Sequence, residues 1–202
     1  MHADPTSIAQ SPFAALPTAA GRGSGVTVTE RDGLGIARIE ARRGQTAEVV
    51  ELLRAQLGVA PPSGPRCVSR GDVAIGGIGP NTWIAVHENA GNSFAQSLQP
   101  LIGHCASVTD QSDAYLILRL AGPKVRETLA KLVPIDVHPR SFQVGDIAQT
   151  LCGYVGVTLW RVEDDAQGDP AFEIWGGRSF AGSLHEAICH SAAGLDHVRQ
   201  TP

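Results

Sequence analysis

Histidine, cysteine and clustered glycine are the residues in this chain with the most chemistry to offer. There are seven histidines and four cysteines in 202 residues. A zinc site asks for three or four ligands at short, paired spacings. Only His185, Cys189 and His190 make a local group of three, with the first two one helical turn apart. A fourth ligand would have to come from elsewhere, so no metal site is expected. Cys67, Cys105, Cys152 and Cys189 are far apart and form no Cys-x-x-Cys pair. They read as reduced, buried thiols. No Gly-x-Ser-x-Gly marks a serine nucleophile, and nothing around any cysteine has a nucleophile's pattern. Gly76-Gly77-Ile78-Gly79 lies between two strand-like runs. A dinucleotide fingerprint needs such glycines between a strand and a helix, where phosphate meets the helix N-terminus. A tight hairpin is expected instead. The expectation is therefore no catalytic, cofactor-binding or metal-ligating residue on this chain.

A second set of residues suits recognition rather than reaction. Arg140-Ser141-Phe142 and Arg178-Ser179-Phe180 repeat a forked cation beside an aromatic ring, residue types over-represented at interface hot spots. Arg140, Phe142 and Arg178 are candidate partner contacts; the alternative is a phenylalanine packed inward with its arginine capping a surface group. Trp160 is a further candidate, and Trp175 shares its choice between partner anchor and core. Phe13 and Leu16, in Ser11–Leu16, are spaced to anchor one turn in a partner's groove; the alternatives are packing on this chain's own domain or disorder.

Composition narrows the partner. Charged residues make up 18%, below the usual quarter of a soluble domain, as when a partner covers part of the surface. Net charge is −4 and the longest basic run is Arg42-Arg43. Nucleic-acid binding would need a basic stripe. No apolar run approaches the ~18 residues of a bilayer span. The N-terminal stretch has no Lys or Arg before Arg22 and no continuous apolar run, unlike a secretory signal. No nucleic acid, no membrane and a cytoplasmic location are expected.

The elements that must position these residues alternate. Residues 1–25 are rich in Ala, Pro, Ser, Thr and Gly and read as a flexible tail. A strand at Leu34–Ala41 precedes a helix from Thr46 to Leu57, with Val50, Leu53 and Leu57 on one face and Gly58 as a left-handed cap. Strands at Val73–Ile78 and Thr82–His87 flank a Gly79-Pro80-Asn81 turn. A helix from Asn92 to Ile102 turns Phe94, Leu98 and Leu101 inward, and a strand follows at Cys105–Thr109. This β-α-β-β-α-β order is that of a split ferredoxin-like unit. Asp110–Asp113 links to a second series: a strand at Ala114–Leu120, a helix opened by Pro123, strands at Ile147–Cys152, Val155–Val162 and Phe172–Trp175, and a helix capped by Ser179 with Phe180, Leu184, Ala187 and Ile188 inward. The expectation is an α+β protein of two tandem halves, 26–112 and 113–196, with a C-terminal tail at 197–202.

The segments VTDQSDAYLILRLAGPKVRETLAKLVPIDVHPRSF, AQTLCGYVGVTLWRV and FEIWGGRSFAGSL resemble the gamma subunit of heterotetrameric sarcosine oxidase. SPFAAL, ARRGQTAEVVELLRAQLG and GPNTWIAV are also similar to that family, so the resemblance runs from about Ser11 to Leu195. It implies a small subunit, free of cofactors, that assembles with alpha, beta and delta subunits in a cytoplasmic bacterial amine oxidase. That enzyme oxidatively demethylates sarcosine to glycine and passes the carbon to tetrahydrofolate. FAD, FMN and NAD are implied on alpha and beta, and zinc on delta. The implied fold is akin to glycine-cleavage aminomethyltransferase. Those enzymes carry a Gly-(Val/Ile)-x-Asp-Asp segment, and here Gly156-Val157-Thr158-Leu159-Trp160 stands in its place. An apolar pair cannot replace a carboxylate that must pair with a cation or a ring N–H. The alternative function, a free-standing folate-binding aminomethyltransferase-like protein, has to meet that objection.

Overall fold

The computed structural model describes residues 25–193. It contains ten strands: β1 Thr27–Glu30, β2 Gly35–Ala41, β3 Cys67–Arg70, β4 Val73–Gly79, β5 Thr82–His87, β6 Ala106–Asp110, β7 Tyr115–Ala121, β8 Ile147–Cys152, β9 Val155–Val162 and β10 Ala171–Gly177. The helices are α1 Thr46–Leu57, α2 Ser93–Ile102, α3 Val125–Ala130 and α4 Ala181–Ala193. A short 3-10 turn, Arg178–Phe180, precedes α4.

The strands form two antiparallel five-stranded sheets, ordered β3-β4-β5-β2-β6 and β1-β7-β10-β9-β8. The two α+β halves are present, with one exchange. β1 precedes the first sheet in sequence but pairs with β7 of the second, Thr27 opposite Ala121. Residues 26–30 thus belong structurally with the second half, and the sheets do not divide the chain at a single point.

Burial follows strand alternation. Ala37, Ile39, Trp83 and Ala85 face α1 and α2, which contribute Val49, Leu53, Phe94, Leu98 and Ile102. Leu116, Leu118, Leu120, Leu159, Phe172 and Ile174 face Val125, Leu129, Leu184 and Ile188 of α3 and α4. The intervening positions meet between the sheets: Leu34, Ile36, Ile84 and Val86 from one, Ile117, Ile147, Trp160 and Trp175 from the other. The result is four layers, helix–sheet–sheet–helix. β7 is apolar on both faces for this reason, reading Leu116-Ile117-Leu118 without a break.

Caps and turns follow local chemistry. Gly58 ends α1 at φ 70°, its N–H bonding Arg54 O, a conformation glycine takes at little cost. The linker between the halves is held by Asp110, whose Oδ1 accepts from the Ser112 N–H (2.9 Å) and hydroxyl (2.7 Å). Gly76 and Gly77 do not make the hairpin turn; they lie inside β4. A Cβ at Gly76 would stand 2.7 Å from the Trp160 ring and 2.6 Å from Ile147. The glycine lets the second sheet's indole reach the first sheet.

Two further expectations are corrected. α2 turns Ala95 and Ile102 inward with Phe94 and Leu98, leaving Leu101 partly covered. Phe180 is in the 3-10 turn and exposed, not on the inner face of the last helix. Among the described residues, no helix is long and apolar enough to cross a membrane.

Candidate functional site

A cleft of about 740 Å³ opens beside the inter-sheet core. β10 delivers Glu173 and Trp175 to its floor, β9 delivers Trp160, and the β3–β4 hairpin supplies Cys67 and Ala74. Trp160 and Trp175 stack in parallel, centroids 4.6 Å apart and 10° between planes.

Glu173 is only 2% exposed, and a carboxyl group so buried needs partners. Arg31, between β1 and β2, donates through Nη1 to Glu173 (2.5 Å) and through Nη2 to Glu88 at the end of β5. Trp175 Nε1 donates to the second Glu173 oxygen at 3.3 Å, and Arg119 Nε approaches to 3.9 Å. One guanidinium thus joins the two sheets by charge. Burial pulls the Arg31 pKa down, but the charges and hydrogen bonds of Glu173 and Glu88 outweigh it and leave it raised. The guanidinium of Arg161, which is buried, donates to Ala171 O (3.0 Å) and pairs with Asp164; it lies 5.1 Å from the Phe172 ring centre, and that of Arg126 lies 5.0 Å from the same centre.

Thiol chemistry is suppressed throughout. Burial, with the charge of Glu173, pushes the Cys67 thiol up to about 12. Burial pushes Cys152 to about 11 and also raises Cys189; at Cys105 burial and then the Glu48 carboxylate raise it. None is a thiolate at neutral pH, so none is poised as a nucleophile. The His185–Cys189 pair is in contact, Sγ to Nε2 3.5 Å. A different trio, Glu48, His104 and Cys105, has three ligand atoms within 4.8 Å.

The expected partner contacts divide. Phe142 and Trp160 are corrected: at 6% and 2% exposed they are consumed by this chain's own core. Phe142 stacks near Phe172, centroids 6.3 Å apart, and Trp160 fills the space above Gly76. Trp175, also at 2%, is core. Arg140 is exposed, its backbone N–H donating to His138 Nδ1 at 3.2 Å. Arg178 is half-buried, its backbone N–H donating to Ala114 O at 3.1 Å. Phe13 and Leu16 lie outside the described residues.

Other apolar side chains are left outside. Leu151 (47%), Tyr154 (102%) and Phe180 (50%) are exposed. Tyr154 is at the β8–β9 turn, where Cys152 pairs with Val155; Gly176 of β10 pairs with Val157. The 3-10 turn bearing Phe180 follows β10 directly. All three therefore crowd one end of the second sheet, beside the uncharged edge strand β8.

Comparison with known proteins places this architecture. The model of the sarcosine oxidase gamma subunit family matches residues 43–193. The chain belongs to the sarcosine oxidase gamma subunit family. Among similar members, the subunit gamma of an Arthrobacter species is 27% identical over 169 residues, covering 80% of this chain and 81% of that one. The subunit gamma of Corynebacterium sp. strain U-96 is 31% identical over 138 residues, covering 66% and 63%. A chain of the heterotetrameric sarcosine oxidase from Corynebacterium sp. U-96, solved in complex with pyrrole 2-carboxylate, shares the fold at TM-score 0.78 and 24% identity, covering 93% of this chain and 96% of that one. Glycine cleavage aminomethyltransferase T from Bartonella henselae shares it at TM-score 0.58 and 13% identity, covering 81% of this chain and 45% of that one. Within this gamma-subunit fold Leu159 and Trp160 have structural work: Leu159 faces α3 and α4, Trp160 faces the other sheet.

Proposed function

We propose that this chain is the non-catalytic gamma subunit of a heterotetrameric, flavin-dependent sarcosine oxidase. Its task is to assemble with the large alpha subunit beside beta and delta. The carrying observation is the family match across residues 43–193. The complex would oxidise sarcosine to glycine in the cytoplasm and hand the carbon to tetrahydrofolate, with FAD, FMN, NAD and zinc on the other subunits. In support, partial or full burial raises the pKa of all four thiols, and core side chains fill the segment where aminomethyltransferases carry acids. The contact surface we assign is the end formed by Leu151, Tyr154 and Phe180, with Arg140, Arg178, Phe13 and Leu16 as further contacts. Large apolar groups left on the surface beside an uncharged edge strand are what a partner covers.

Co-expression of the tagged chain with alpha, beta and delta tests this. Capture should recover the flavoprotein subunits, with flavin absorption and sarcosine-dependent peroxide. Tyr154→Asp and Phe180→Asp should each weaken assembly by about 2 kcal/mol or more, ~30-fold, with unchanged circular dichroism. Recovery of a colourless chain alone sinks the subunit reading; full assembly by both variants sinks the surface. The fold shared with aminomethyltransferase T keeps one rival, a free-standing folate binder. Saturable tetrahydrofolate binding by the isolated chain would favour it.

A further inference from the structure

One cluster apart from the cleft and the apolar end has the chemistry of a metal site. Glu48 stands in the first turn of α1, and His104 and Cys105 form the turn from α2 into β6. The backbone fixes this meeting from both sides. The Cys105 N–H donates to Ile102 O (3.0 Å), and the Cys105 carbonyl accepts from the N–H of Arg42 (2.8 Å), on the stretch that leads into α1. A carboxylate oxygen, an imidazole nitrogen and a thiol sulfur thereby lie within 4.8 Å of one another. Cys105 is buried while Glu48 and His104 are exposed. An ion here would take sulfur from beneath, nitrogen and oxygen from the sides, and water from solvent.

The donor set selects the ion. Magnesium and calcium want oxygen, whereas zinc accepts mixed sulfur, nitrogen and oxygen in a tetrahedron at about 2.0–2.3 Å. Those bonds need the ligand atoms somewhat closer than they stand, and the two exposed side chains have the freedom to swing in. Without metal, His104 Nε2 and Glu48 Oε1 are 3.0 Å apart in a hydrogen bond, which tethers α1 to the α2–β6 turn. Zinc would replace that contact and displace the thiol proton. The neighbouring Arg42 guanidinium, held by Gly103 O at 3.3 Å, lowers the affinity for a cation without blocking a ligand.

We propose that Glu48, His104 and Cys105 bind one zinc ion, completed by water, which clamps the first turn of α1 to the turn between α2 and β6. Cobalt(II) titration of the full-length chain, prepared free of metal, tests it. One equivalent should bind, give thiolate-to-cobalt charge-transfer absorption, and be displaced by zinc. Zinc should also raise the Tm. Cys105→Ser should abolish the charge-transfer band. The surface variants His104→Ala and Glu48→Gln should weaken binding by more than the ~10-fold that loss of an outer-shell partner costs. Absence of stoichiometric binding overturns the proposal. So does a charge-transfer band that survives Cys105→Ser, or affinity unchanged in both surface variants.

Discussion

At the scale of single residues, burial decides which chemistry is permitted. Glu173 and Arg31 are the most demanding pair, since the carboxylate is nearly sealed and the guanidinium serves both sheets. Arg31→Met leaves Glu173 buried with only the Trp175 N–H and a distant Arg119. It should cost about 3–5 kcal/mol in urea unfolding. Glu88→Gln removes a half-exposed partner and should cost less than 1 kcal/mol or so. The thiols give a signed pH effect. Cys67 titrates at about 12 in the folded chain against an ordinary 9.0. The folded state thus holds its proton where the unfolded state has lost it. This stabilising contribution is complete below about pH 9 and is lost as pH rises toward 12. Urea midpoints should fall over that alkaline window, and less steeply in Cys67→Ala. Residue types were legible in the sequence where the constraint was local, as with Asp110 and Gly58. They were illegible where it was distant. Phe142 and Phe180 have the same Arg-Ser-Phe surroundings, yet one is core and the other exposed. Only the packing of remote strands tells them apart.

At the scale of elements, strands of five residues or more announced themselves, and two shorter edge strands did not. β5, β8 and β9 begin and end where alternation and turn residues place them. β1 and β3 are edge strands of four residues, half exposed and without an apolar stripe. Their pairing is determined by partners elsewhere in the chain, so no local pattern marks them. The glycines of β4 show the same principle from the other side. Their spacing matches a turn, but Gly76 is selected by an indole on the other sheet. Gly76→Ala should therefore overpack the inter-sheet core and cost about 1–3 kcal/mol, measured by chemical denaturation. Gly153→Ala makes a control of a different kind: nothing lies within 4 Å of its Cβ, and only its φ of 59° resists the change. The trio Glu48, His104 and Cys105 was missed for an element-level reason too. Glu48 and His104 are 56 residues apart, and it takes the packing of α1 beside α2 to bring them together.

At the scale of the whole molecule, the two halves are not independent. They share the core between the sheets, the Arg31 link, and a backbone bridge in which Ile147 N–H donates to Pro65 O (2.9 Å) and Cys67 N–H to Gly145 O (2.6 Å). Unfolding should be a single transition. Tryptophan fluorescence, reporting the Trp160–Trp175 stack, and far-ultraviolet circular dichroism should give coincident curves; separated midpoints would show halves that melt apart. The two-half architecture was legible from element order, because each half repeats strands and helices in series. The four-layer sandwich was not, since the same order also fits halves that never share a core. The exchange of β1 has a last consequence, for synthesis on the ribosome. Chains fold from the N-terminus as they emerge, yet Thr29 meets its neighbour Arg119 across ninety residues. β1 must wait, without its partner strand, while the whole first sheet is made. The second sheet thus starts from a strand made long before it, recruited backward onto β7.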